Sequence, residues 1–173
     1  MEEITLQKLL EAGVHFGHQS KRWDPKMKPF IYGEKNKIHI IDLQQTKKYL
    51  EEACIFARDK AREGAEFLLV GTKGQAQDTI KEEALRCGEG VHYVVTRWLG
   101  GTLTNFETIK KSLKKLKDLE ESLSTIEESL HTKKEKIVLE RKLHKLRKNL
   151  EGIRNMTRLP DVVYIVDIKK ERN

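Results

Sequence analysis

Between Gly13 and Asp42 the chain mixes ring-bearing and cationic side chains on backbone that cannot be one long helix. Two of the three prolines of the sequence, Pro25 and Pro29, lie here, with glycines at 13, 17 and 33. His15, Phe16, His18, Trp23, Phe30 and Tyr32 are too many rings for a disordered linker. Lys21, Arg22, Lys26, Lys28, Lys35 and Lys37 stand among them, against only Asp24 and Glu34. Cations neutralise phosphates and exposed rings stack on bases, so this composition suits a folded, charged RNA surface. A solvated basic loop whose rings pack inward has the same composition, and from the residues alone both readings stand.

The second informative stretch is Arg97-Trp-Leu-Gly-Gly-Thr-Leu-Thr-Asn-Phe106. Paired glycines let backbone N–H groups approach a phosphate, Arg97 adds charge, and Trp98 offers a stacking face. The bland reading is a tight turn with a buried tryptophan. Gly71-Thr-Lys-Gly74 follows a strand pattern and precedes a helix pattern, where an α/β sheet would bind an anion. It matches neither G-x-x-x-x-G-K-[ST] nor G-x-G-x-x-G, so a plain strand-to-helix turn is the competing reading. His15 and His18 are three apart with His39 nearby, but a metal site would need a third and a fourth ligand at workable spacing, which favours packing or hydrogen bonding over a metal. No serine or cysteine has the surroundings of a nucleophile, and no metal or cofactor is expected.

Composition narrows the class. The chain has 173 residues, is 38% hydrophobic, and carries a formal net charge of +7, which suits one globular domain and a polyanionic partner. No apolar run approaches a membrane span, and the acidic start M-E-E-I-T-L-Q lacks the apolar core of a signal peptide. A reducing, cytoplasmic setting is the expectation, with Cys54 and Cys87 as buried free thiols.

The elements that must position these groups read as follows. Thr5 caps a helix over Leu6–Ala12 that Gly13 ends. Phe30–Tyr32 and Lys37–Ile41 form a hairpin, and Asp42 with Gln45 caps a helix that Gly64 stops. Glu66–Val70, Val91–Thr96 and Val162–Asp167 are apolar strands, the first two separated by a helix over Gln75–Arg86 that ends at Gly88. Strands separated by helices imply a parallel sheet covered on both faces. Between the second and third strands, Phe106, Ile109, Leu113, Leu116, Leu119 and Leu123 form one helical stripe. Leu139, Leu143, Leu146, Leu150 and Ile153 form another. Capping boxes at Thr104–Glu107 and Thr132–Glu135, a bend within Ser122–His131 and a helix end at Gly152 make an antiparallel coiled-coil hairpin that packs mostly on itself. The division expected is an α/β body of residues 1–103 and 154–173 with a hairpin insertion at 104–153.

Taken together, several stretches resemble the S-two family of small-subunit ribosomal proteins, in its bacterial and organellar form. They are G-V-H-F-G-H-Q at 13–19, R-W-D-P-K-M-K-P-F-I at 22–31, I-H-I-I-D-L at 38–43, V-G-T-K at 70–73, R-W-L-G-G-T-L-T-N-F at 97–106 and L-P-D-V-V-Y-I-V-D at 159–167. The resemblance implies a flavodoxin-like parallel sheet with helices on both faces and a protruding helical hairpin. It implies a non-catalytic constituent of the ribosome, cytoplasmic or organellar, that binds small-subunit rRNA and neighbouring ribosomal proteins and no membrane or small-molecule substrate. By matched motif, the RNA-facing residues would be Lys21, Arg22, Trp23, Lys26, Lys28, Arg97, Trp98, Gly100 and Gly101. Gly74 stands where the family often has a basic residue, which weakens a phosphate role for that loop. Family members continue past V-V-Y-I-V-D, and the expectation is that this strand pairs beside Glu66–Val70, opposite Val91–Thr96. Its free edge would then leave the isolated chain marginally stable and prone to self-association. Two competing classes are an α/β enzyme holding a phosphorylated small molecule at Gly71–Gly74 and a coiled-coil adaptor using the helical pair.

Overall fold

In the computed structural model, residues 3–126 and 133–172 are described. The chain falls into two compact units that divide between Arg62 and Glu63. The expected bend and the Thr132 cap lie largely or wholly outside the described residues.

The first unit opens with helix α1, Leu6–Glu11, capped by the Thr5 hydroxyl, which accepts from the Lys8 N–H at 3.2 Å. Gly13, at φ 69°, terminates it in the left-handed region. Strand β1, Phe16–Gln19, follows, then a 3-10 helix over Pro25–Phe30, strand β2, Ile31–Lys35, and strand β3, Ile38–Ile41. They make an antiparallel sheet of order β1-β3-β2. The expected hairpin is present, but its turn is Asn36–Lys37 rather than the four residues between Tyr32 and Lys37: Gly33–Lys35 pair with β3, and Asn36 and Lys37 take positive φ (52° and 63°), the geometry a two-residue connection demands. β1 was not anticipated, because Gly17 in its middle weakens the strand signal. The glycine is there for space: a Cβ would lie 2.9 Å from the His39 carbonyl oxygen of β3. Helix α2, Leu43–Arg62, begins at Asp42 as its capping residue and is stopped by Gly64 at φ 77°. No residue of α2 is buried.

The second unit is built on a parallel sheet. Strand β4, Phe67–Val70, lies between β5, Val91–Val94, and β6, Val162–Ile165. Phe67 stands opposite both Val91 and Val162, and Val70 opposite both Val94 and Ile165. Leu68 and Val70 are fully buried, as an apolar run in a central strand requires. Among the described residues, β6 pairs only with β4. Helix α3, Gln77–Cys87, ends at Gly88, φ 81°, and packs on β4 closely enough that a Cβ on Gly71 would meet the Ile80 side chain at 2.9 Å.

Helices α4, Phe106–Ile126, and α5, Lys133–Leu150, follow β5. Their apolar stripes meet in the expected phase: Leu113, Leu116 and Leu143 are buried and Leu146 packs against them. The cluster does not stop at the helix pair. Phe106, Ile109, Leu150 and Ile153 share it with Leu68, Val70 and Val94 of the sheet. The pair therefore packs on the sheet as well as on itself, because its stripe continues to Phe106 and Ile153 where the helices approach the strands. α4 begins at Phe106, which puts Asn105 rather than Thr104 at the capping position; the Thr108 hydroxyl donates to its side-chain oxygen at 2.9 Å. Gly152 does not end α5 by a left-handed turn. Its lack of a side chain lets the 3-10 helix Glu151–Ile153 press on the Tyr93 carbonyl of β5. Both cysteines are free; Cys54 is half-buried and Cys87 exposed, so neither is the buried thiol expected.

Candidate nucleic-acid interface

Asp24-Pro25 sets the basic segment in place. The Asp24 carboxylate accepts from the Lys26 N–H at 3.0 Å, and Pro25, needing no donor, starts the 3-10 helix. This holds Lys26 and Lys28 exposed on an ordered turn. Lys21 and Arg22 are exposed on the tight turn just before it, where the Arg22 N–H donates to the Gln19 carbonyl at 2.8 Å. Pairing of β1 with β3 brings Lys21 to the same groove as Lys37, between Ser20 and Asn36. The Ser20 hydroxyl ties the two together through the Lys37 carbonyl at 3.0 Å and the Glu34 carboxylate at 2.8 Å. Lys37 was not singled out by motif, because only β pairing makes it a neighbour of Lys21. Trp23 is half-buried, its ring 4.7 Å from that of His39. It anchors the segment, whereas Tyr32 is 82% exposed. His15 lies against Phe16 at 4.0 Å, and both ring nitrogens of His39 are buried with no hydrogen-bond partner among the described residues. Among the described residues no three His, Cys, Asp or Glu side chains gather as a metal ion would require.

Capping fixes where this segment meets α2. The Asp42 carboxylate accepts from the Gln44 N–H (2.9 Å), the Gln45 N–H (3.2 Å) and the Gln45 side chain (3.0 Å). The same Gln45 amide reaches the Pro29 carbonyl at 3.1 Å, and the Asp42 N–H donates to Phe30 at 2.9 Å. The Gln45 hydrogen bonds hold the Asp42 carboxyl below its ordinary value.

In the second unit, Arg97 is exposed at the carboxyl end of β5. Trp98 packs against the hydrophobic core, so the tryptophan serves the fold on at least one face. Leu99–Thr102 is a closed turn: the Leu99 carbonyl accepts from the Thr102 N–H at 3.2 Å and its hydroxyl at 2.6 Å. Gly101 sits at its third position with φ 84°, which demands glycine. Gly100 has open space where a Cβ would go, so no packing in this chain requires glycine there. Arg97, Trp98, Gly100 and Gly101 thus lie in one unit, and Lys21, Arg22, Trp23, Lys26 and Lys28 in the other.

The Gly71–Gly74 loop is already satisfied. The Thr72 N–H and hydroxyl both donate to the Glu171 carboxylate, at 2.9 and 2.6 Å, and Lys73 pairs with Asp167 at 3.2 Å. The Lys73 ammonium and backbone N–H donors keep the Asp167 carboxyl below its ordinary range. Side-chain carboxylates of the chain occupy the donors a phosphate would use, which stands against the small-molecule enzyme reading.

The features described define a class: a mixed α/β protein with a parallel sheet, exposed cations on ordered loops, and an anion-type loop filled by its own side chains. Residues 9–173 match the model of the family described as Ribosomal protein S2, and the chain belongs to that family. It is 54% identical over its whole length to the small ribosomal subunit protein uS2c of Mesostigma viride, of which it covers 75%. Against uS2c of Rhodomonas salina the identity is 54%, covering 99% of this chain and 70% of the relative. Against uS2 of Koribacter versatilis (strain Ellin345) it is 55%, covering 99% and 56%. Membership of this family makes the chain a structural, non-enzymatic protein.

Proposed function

We propose that the chain is a structural constituent of the small ribosomal subunit, on a cytoplasmic or organellar ribosome, binding its rRNA and neighbouring ribosomal proteins. The observation that carries this is the family match across residues 9–173, read together with a net charge of +7. Its RNA contacts are assigned to Lys21, Arg22, Lys26 and Lys28 on the first unit and Arg97 with Gly100 and Gly101 on the second. Trp23 and Trp98 act from half-buried positions by holding those turns. The exposed Lys26 and Lys28 on a capped turn support phosphate pairing, since ordered cations give up less entropy on binding. Co-sedimentation with small subunits tests the reading: the chain is expected in the subunit fraction and to leave it as salt rises. A chain that stays in the supernatant at low salt would remove it.

A further inference from the structure

A groove of about 690 Å³ in the second unit runs between α3 and α5, with the carboxyl end of β5, Tyr93–Thr96, as its floor. Among the described residues β5 is an edge strand, the kind of edge to which an extended peptide could add. Phe67 and Gly71 donate to the Gly90 and Val94 carbonyls, so the alternating residue Tyr93 turns its backbone groups away from β4. Gly152 presses against the Tyr93 carbonyl at that open edge, which closes it to a further strand. What the groove still offers is charge. Arg147 and Arg154 are committed to Glu120, at 2.6 and 2.5 Å. Glu151 is the one carboxylate on the lining, and it lies 3.9 Å from Arg154. Lys81 on α3 and Lys148 on α5, both exposed, face the same groove and make no ion pair among the described residues.

We propose that this groove is a second phosphate-backbone site, in which Lys81 and Lys148 pair with phosphates of an RNA strand. The proposal rests on the rRNA-binding reading above and adds a surface that no motif in the sequence marked. Two ammonium groups lining one groove, with no ion pair among the described residues, favour a polyanion. The blocked strand edge removes the backbone pairing through which an acidic peptide would gain its affinity. Lysine binds phosphate as a point charge, so no particular base sequence is required.

The test measures binding of the full chain to a transcript of small-subunit rRNA across a series of KCl concentrations. Lys81→Gln/Lys148→Gln is expected to reduce the steepness of the log affinity–log salt plot by roughly 1.4–1.8, two contacts at about 0.7–0.9 each. Both residues are exposed on helices, and an unchanged circular dichroism spectrum confirms the fold. Lys114→Gln/Lys115→Gln, with the same loss of charge on α4, is expected to leave the slope unchanged; an equal fall there would mean bulk charge and would overturn the site. If Arg22→Gln/Lys26→Gln/Lys28→Gln flattens the plot and Lys81→Gln/Lys148→Gln does not, the groove is overturned while the rRNA-binding reading survives. A wild-type chain that does not bind the transcript removes both. Competition by poly-glutamate at lower concentration than by the transcript would assign the groove to an acidic protein and overturn the RNA site.

Discussion

Asp42 shows how one residue links sequence, local structure and the candidate surface. Its carboxylate collects donors from Gln44 and Gln45, while Gln45 also holds the Pro29 carbonyl that ends the basic turn. Because the folded pKa lies below the unfolded value near 3.8, the stabilisation is fully present above that pH. It is lost as pH falls through the lowered folded value. Asp42→Asn is therefore expected to remove the part of the acid-side stability loss that belongs to this group, read as a flatter stability–pH curve below pH ~4. A curve identical to wild type would show that the cap does not titrate with folding. Two glycines make opposite predictions. Gly152→Ala drives a methyl into the Tyr93 carbonyl and should destabilise by about 1–3 kcal/mol or more. Gly100→Ala meets nothing and has no left-handed backbone, so stability should move within about 0.5 kcal/mol. If RNA approaches the backbone there, affinity for rRNA should still fall; unchanged affinity would withdraw Gly100 from the interface.

The helix pair is where element-scale energetics are clearest. Leu116 is 0% exposed and Leu113 6%, while Lys114 between them faces solvent. Leu116→Ala should cost about 2–4 kcal/mol in urea unfolding, and Lys114→Ala or Lys145→Ala less than about 0.5 kcal/mol. Similar losses at Leu116 and Lys114 would contradict the phase of α4. The Glu120 carboxylate, only 13% exposed and held by Arg147 and Arg154, ties α4 to the end of α5. Glu120→Ala removes the carboxylate that accepts from both guanidiniums, while Arg147 and Arg154 keep access to water, so it should lose more than substitution of an exposed acid such as Glu107 without the large penalty of an orphaned buried charge.

At the scale of the molecule the two units are unequal. Among the described residues, every buried hydrophobic side chain except Leu9 lies beyond residue 62. The first unit has sheet pairing and caps but almost no core, so its opening free energy should be low. Hydrogen exchange on the free chain is expected to be slowest in β4, paired on both sides, and markedly faster in β1–β3. Binding of rRNA should slow β1–β3 most, since a partner supplies the burial this unit lacks. Equal protection of β1–β3 and β4 in the free chain would refute the asymmetry. Replacing Arg22, Lys26, Lys28 and Arg97 together by Gln should flatten the salt dependence of RNA binding by roughly 0.9 per duplex phosphate lost. A slope equal to wild type would take all four out of the interface.

Periodicity and cap chemistry were readable locally, because each depends on residues within a turn or two. The helix stops at Gly13, Gly64 and Gly88, the Asp42 cap and the phase of Leu113, Leu116 and Leu143 all follow from such spacings. The parallel sheet with Phe67–Val70 at its centre was legible too, since alternation of strand and helix leaves few topologies. Other features depended on contacts between residues far apart in the chain. β1 exists because Gly17 fits under the His39 carbonyl, and Lys37 joins Lys21 because β1 pairs with β3. Trp98 turns to the core because a hydrophobic cluster is there to receive it. Glu171, 99 residues from Thr72, occupies the donors of the Gly71–Gly74 loop, and that pairing turned a possible phosphate turn into an internal latch. Local spacing determines which element a residue joins; which polar group meets which is decided when distant elements pack, because only then is each donor desolvated and made to find its acceptor.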